Sequence, residues 1–205
     1  MSGQTVGDRR AGPIRPPVVP DRWRNAANFA LYQAGWLACV GGAARGWAWG
    51  GPAMAAGFLS AQFVLVSARP AAEARFALAA AAAGVGVEAL NRAVGVYAMA
   101  RPELSGPSAA WAGGMWAAAL WAGLATTIPG CLAWIGRSPV WVAVGAGAVA
   151  GPLAFYGGLR LGAVAMGNPL LWVPALAVEW AVALPLMFAI WKRRTPRLPV
   201  FAPSR

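Results

Sequence analysis

Histidine is missing from this chain, and acids are scarce: only six Asp and Glu residues stand among 205. Without imidazole, His-based metal sites and His general-base triads are excluded. The two cysteines, Cys39 and Cys131, both fall inside apolar segments, where thiols behave as small hydrophobes more often than as disulfides or ligands. Charged residues make up 11% of the chain, against roughly a quarter in a water-soluble domain. They also avoid long stretches. Nothing from 25 to 44 is acidic or basic, and from 102 to 136 Glu103 stands alone.

Apolar residues, by contrast, make up 59% of the sequence. A run of about twenty of them is the length that crosses the hydrocarbon core of a bilayer. One buried helix of a soluble protein does not explain several such runs in succession. The pattern predicts an all-α fold, a polytopic bundle of six transmembrane helices over about 27–44, 48–67, 75–98, 109–135, 139–163 and 169–191. Connectors such as Arg69-Pro70-Ala71 and Gly136-Arg137-Ser138-Pro139 leave no room for a soluble domain. Residues 1–24, basic and proline-rich, read as a disordered or extended cytoplasmic tail. They do not read as a cleavable signal, because the apolar stretch starts late and continues into an ordinary span. Residues 25–191 form the transmembrane domain, and 192–205 a second basic tail.

The formal charge of +11 is distributed as a topology signal. Five arginines precede the first apolar run (Arg9, Arg10, Arg15, Arg22, Arg24), and five bases follow the last (Lys192, Arg193, Arg194, Arg197, Arg205). With the N-terminus inside, the cytoplasmic side also takes Arg69, Arg75 and Arg137, leaving only Arg45 and Arg101 opposite. Six spans with both ends in the cytoplasm satisfy the positive-inside rule, the arrangement expected of a multi-pass inner-membrane protein. A nucleic-acid surface would need bases and aromatics interleaved on a soluble face, and none is visible. Trp23, Trp47, Trp49, Trp111, Trp141, Trp172 and Trp191 fall near span ends, where indoles anchor at the interface. Small residues, including Gly147-xxx-Gly151 and Gly158-xxx-Gly162, predict close helix packing.

The candidate site consists of the charges left inside spans: Glu88, Arg92, Arg160 and Glu179. A charge in hydrocarbon is normally paired or functional. Glu88 and Arg92 are one helical turn apart, acid first, as an ion pair prefers. On the six-span topology Glu88 and Glu179 lie near the midplane, with Arg92 and Arg160 in the outer half. The four are expected to meet as one cluster, read either as a lock on helix register or as a polar pocket. Asn28 and Gln33 add polar groups, and Pro152, Pro174 and Pro185 free backbone carbonyls nearby. Metal, cofactor and catalytic residues are expected to be absent.

Several strings carry a resemblance. Asn28-Phe29-Ala30-Leu31-Tyr32-Gln33-Ala34-Gly35-Trp36, the tryptophan-rich stretch from Trp116 to Trp134, Gly151-Pro152-Leu153 through Ala163, and Glu179-Trp180 followed by Pro185-Leu186 are similar to a bacterial membrane family, domain of unknown function 2878. The resemblance covers about 28–190, and this chain has Glu88 where the family tends toward aspartate. It implies a small polytopic protein without an assigned activity, and its association with fatty-acid modification loci points toward lipids. Three functions remain open. The first is binding or translocation of a small amphiphile or lipid; the second is an accessory role in a membrane complex or homo-oligomer; the third is lipid modification by an embedded enzyme. Membrane lipids are the expected partners, and nucleic acid is not.

Overall fold

The structure, a computed structural model, describes residues 17–101, 104 and 110–195, without the side chains of 110–112. Most of both tails, Glu103 and the Trp111 side chain lie outside these residues. The fold is all-α. Its helices are α1 (Asp21–Ala44), α2 (Gly50–Ala61), α3 (Pro70–Ala93), α4 (Ala110–Thr127), α5 (Ala133–Arg137), α6 (Val140–Leu161) and α7 (Pro169–Arg194). A π-helical turn, Gln62–Val66, continues α2. Every expected apolar stretch carries a helix, but the fourth, read as ending at 135, is interrupted: α4 stops at Thr127, and after a turn the short α5 covers its last residues and the start of the connector to the fifth.

The ends of these helices differ from the sequence reading for identifiable reasons. Helix α1 opens at Asp21, just after Pro20, so the last four residues assigned to the tail are helical. Pro70 stands at the start of α3, where its missing N–H costs nothing, and begins that helix five residues early. Gly46, Gly95 and Gly162 take φ values of 74°, 77° and 78° just past the ends of α1, α3 and α6. Such left-handed residues stop a helix at little cost when they are glycine. The stretches read as ending at 98 and 163 therefore pass into short strands, β1 (Tyr97–Met99) and β2 (Val164–Met166). These pair antiparallel, Tyr97 opposite Met166 and Met99 opposite Val164.

The helices form sequential hairpins, α1 with α2, α3 with α4, and α6 with α7, while α4 also packs on α1 and α2. Glycines set the approach within two of them. A Cβ on Gly84 would fall inside the Trp121 indole, and one on Gly147 would overlap the Trp180 backbone carbonyl. Pro152, Pro174 and Pro185 lie within continuous helices.

Chain ends sort to two ends of the bundle. At one end the β ladder sits with the close of α1, through Arg101 Nε donating to the Ala44 carbonyl at 2.7 Å. At the other, Val19 N–H donates to Leu65 O at 2.9 Å, and the Phe76 and Trp191 rings lie 5.3 Å apart. There too Asn28 fastens α1 to the turn after α4, donating to Thr126 O at 3.1 Å and accepting from Cys131 N–H at 2.9 Å. Both cysteines are free thiols.

Outward faces are apolar. Leu78, Trp141, Leu170 and Val178 are 66–85% exposed, an unusual concentration for a surface facing water. Helices α6 and α7 are long and apolar enough to cross a membrane, and only 22% of the apolar window of each is buried inside the protein. A soluble protein's core helix would be mostly buried, so these two point to membrane association.

Candidate functional site: a carboxylate in an aromatic cavity

Glu88 occupies the last third of α3 and is 3% exposed. Its Oε1 accepts from Trp121 Nε1 on α4 at 3.0 Å, and its Oε2 accepts from the Tyr97 hydroxyl on β1 at 2.7 Å. Arg92 donates to that same hydroxyl over a long 3.5 Å. The expected direct pair of Glu88 with Arg92 is therefore replaced by a phenol lying between them. One turn along α3, Asn91 Nδ2 donates to Glu179 Oε2 on α7 at 2.6 Å. Three helices and a strand thus converge on two carboxylates.

Because α3 ends at Ala93, Glu88 lies about 8 Å from the β end of its helix at 1.5 Å per residue. Arg160 takes no part: it is exposed, at the end of α6. The buried face of α6 runs through Gly147, Gly151, Phe155 and Gly158, and Arg160 sits two residues beyond, about 200° around the helix. The four-charge cluster reduces to Glu88, Glu179 and Arg92. Asn28 is buried near the other end of α1, engaged with α4 as described, and Gln33 is half-buried on α1. Neither is among the residues bonded to the two carboxylates.

Beside Glu88 lies a cavity of about 60 Å³, room for a few waters or the end of a slim aliphatic chain. Its walls are largely aromatic: Tyr32, Trp36, Trp116, Trp121, Phe155 and Trp180, with Glu88 the sole carboxylate. Trp121 and Trp180 stack at 5.0 Å between centroids, 28° apart. Among the described residues Trp180 Nε1 and Glu179 Oε1 are buried without hydrogen-bond partners, each a costly omission unless something else satisfies it. The cavity shares Tyr32, Trp36 and Leu120 with a smaller one between α1, α2 and α4. That one shares Gln62 and Thr126 with a polar recess at the end opposite the strands. Gln62 is itself buried, and its Oε1 also lacks a partner among the described residues.

Residues 25–186 match the family described as Protein of unknown function (DUF2878). The chain belongs to this family. No curated protein and no solved structure matches it. The four strings that carry the resemblance meet at the cavity. Tyr32 and Trp36 come from the first, Trp116 and Trp121 from the second, Phe155 and Gly158 from the third, and Trp180 from the last. Of the residues that hold the carboxylates, Tyr97 had no signal in the sequence, since it reaches Glu88 only because α3 stops at Ala93 and the chain turns at Gly95. Asn91 was detectable, standing three residues after Glu88 on the same face.

At the far end, Glu73 lies in the first turn of α3, short of the apolar stretch, and is 7% exposed. Burial pushes its carboxyl above the usual carboxylate range, against the opposing pull of Ser67, the Arg69 backbone, Arg24 and Gln62. A carboxyl that holds its proton more tightly folded than unfolded makes stability fall as pH rises from its unfolded value, about 4.3, through its native one. Glu73→Gln is expected to flatten that decline. Thermal midpoints of detergent-solubilised protein, followed from about pH 4 to 8, provide the check; an unaltered slope refutes it.

Proposed function

We propose that this is a bacterial inner-membrane protein of six spans, both ends cytoplasmic, that binds a small amphiphile in the cavity beside Glu88. One observation carries the reading: a single carboxylate faces a cavity otherwise apolar and aromatic. Such a site orients a ligand by one polar contact and gains affinity from its apolar body. The local charge balance, two carboxylates to one guanidinium, selects the head group. It favours an amine or other hydrogen-bond donor over an ionised acid, and indole faces add attraction for a cation. The six-span arrangement is supported by the alternation of helix ends, the apolar outward faces and the skew of basic residues.

Purified protein in nanodiscs, titrated with bromododecylamine and read by tryptophan quenching, tests this. Glu88→Gln is expected to weaken amine binding at least tenfold, about 1.4 kcal/mol. Arg160→Gln leaves it unchanged, and bromododecanoate binds more weakly than the amine. Equal quenching of wild type and Glu88→Gln, or a preference for the ionised acid, overturns the proposal. Reporter fusions at both ends should be active only in their cytoplasmic form; an external end sinks the topology.

A further inference from the structure

A second recess, at the end opposite the strands, has the reverse electrostatic character. About 390 Å³ in volume, it opens between the start of α3, the α4–α5 turn and the end of α7. Four cations from four separate segments line it: Arg24, Arg69, Arg137 and Lys192. Its lining contains one acid, Glu73, and its apolar wall includes Ile128, Phe188 and Trp191. Among the described residues Arg24 pairs with Asp21 at 3.1 Å, and Arg69, Arg137 and Lys192 have no carboxylate within ion-pair distance. Three cations gathered without ion-pair partners repel one another, and an anion between them relieves that repulsion.

We propose that this recess binds a phosphate-bearing anion, with its oxygens held among Arg24, Arg69, Arg137 and Lys192. Guanidinium forks match phosphate oxygens in pairs, and an ammonium adds a compact charge. The apolar wall suits the glycerol or first methylenes of an anionic lipid, and the basic rim its headgroup; a soluble phosphate ester would use the rim alone. Glu73, the one acid in this lining, interacts with Arg24, which leaves Arg69, Arg137 and Lys192 for the anion. This site is independent of Glu88 and of any amphiphile bound there.

A general attraction of basic helix ends for an anionic membrane surface makes a different prediction. Arg193 and Arg194 extend from the same helix end as Lys192 but do not line the recess. Full-length protein in uncharged phosphatidylcholine nanodiscs is titrated with dioctanoyl phosphatidylglycerol, and separately with glycerol phosphate. Binding is read by native mass spectrometry. The pair Arg137→Gln with Lys192→Gln is expected to lower affinity at least tenfold, and Arg193→Gln with Arg194→Gln less than twofold. Both substituted pairs lie on exposed positions, and Arg69→Gln gives an independent loss. Saturation by the lipid alone assigns the source as a headgroup, and comparable saturation by glycerol phosphate assigns a soluble ester. Equal losses in the two double variants, or no saturable binding by wild type, overturn the site.

Discussion

Gly147→Leu is expected to separate α6 from α7 and to lower stability by about 3 kcal/mol or more, beyond the usual cost of overpacking a core. The reason is that the new side chain meets backbone. A Cβ at Gly147 would overlap the Trp180 carbonyl, for which no rotamer change makes room, and one at Gly151 would overlap the Trp180 side chain. In hydrocarbon no hydrophobic force draws helices together, and close contact between them supplies most of their association. Gly145 is the control: on the same helix, a Cβ there has open space. Gly145→Ala is expected to hold or raise stability by about 0.5–1 kcal/mol through its better helix propensity. Thermal midpoints and gel-filtration profiles in mild detergent decide between them. Equal behaviour of the two variants would remove the glycine contact from the account of this hairpin.

The second large effect is expected at Glu88. Leucine there leaves the Trp121 N–H and the Tyr97 hydroxyl buried without acceptors, each costing about 1–3 kcal/mol. Relief of the carboxylate's own desolvation works the other way, so the net loss is expected near 2 kcal/mol, below the sum of the two. Glu88→Gln keeps an acceptor oxygen and is expected to fold. Adding Tyr97→Phe to Glu88→Leu removes one of the orphaned groups. The double variant is therefore expected to be more stable than the two single losses added together. Strict additivity in that cycle would mean that the 2.7 Å bond between Tyr97 and Glu88 contributes nothing.

The helices were legible because charge avoidance and apolar length are local properties, visible along any window of the chain. Their ends were less so. Pro70 as a helix starter and Gly95 as a terminator move α3 by five residues at each end, and this shift puts Glu88 in the last third of its helix, near the strands. Within the site, an acid and a base four residues apart predicted contact, yet helical spacing sets proximity only, and a phenol from the strand that follows the helix intervenes. Arg160 was placed by depth alone. The glycine pattern on its own helix, read as a face, turns it away from the other charges. Trp172, read as an interfacial anchor, is 3% exposed inside the bundle; position near a helix end does not distinguish the two roles. Trp180 was legible within the Glu179-Trp180 string, but its stacking on Trp121 depends on how two hairpins meet.

The pairing of β1 with β2 has a mechanical consequence. Tyr97 grips Glu88 from one strand, and the other leads within three residues into α7, which carries Glu179 and Trp180. The two hairpins therefore cannot slide past each other without tearing the ladder or dragging the tyrosine. Loosening either strand would therefore also loosen the hold on Glu88, so the ladder clasps the ends of the two hairpins to the protein's interior.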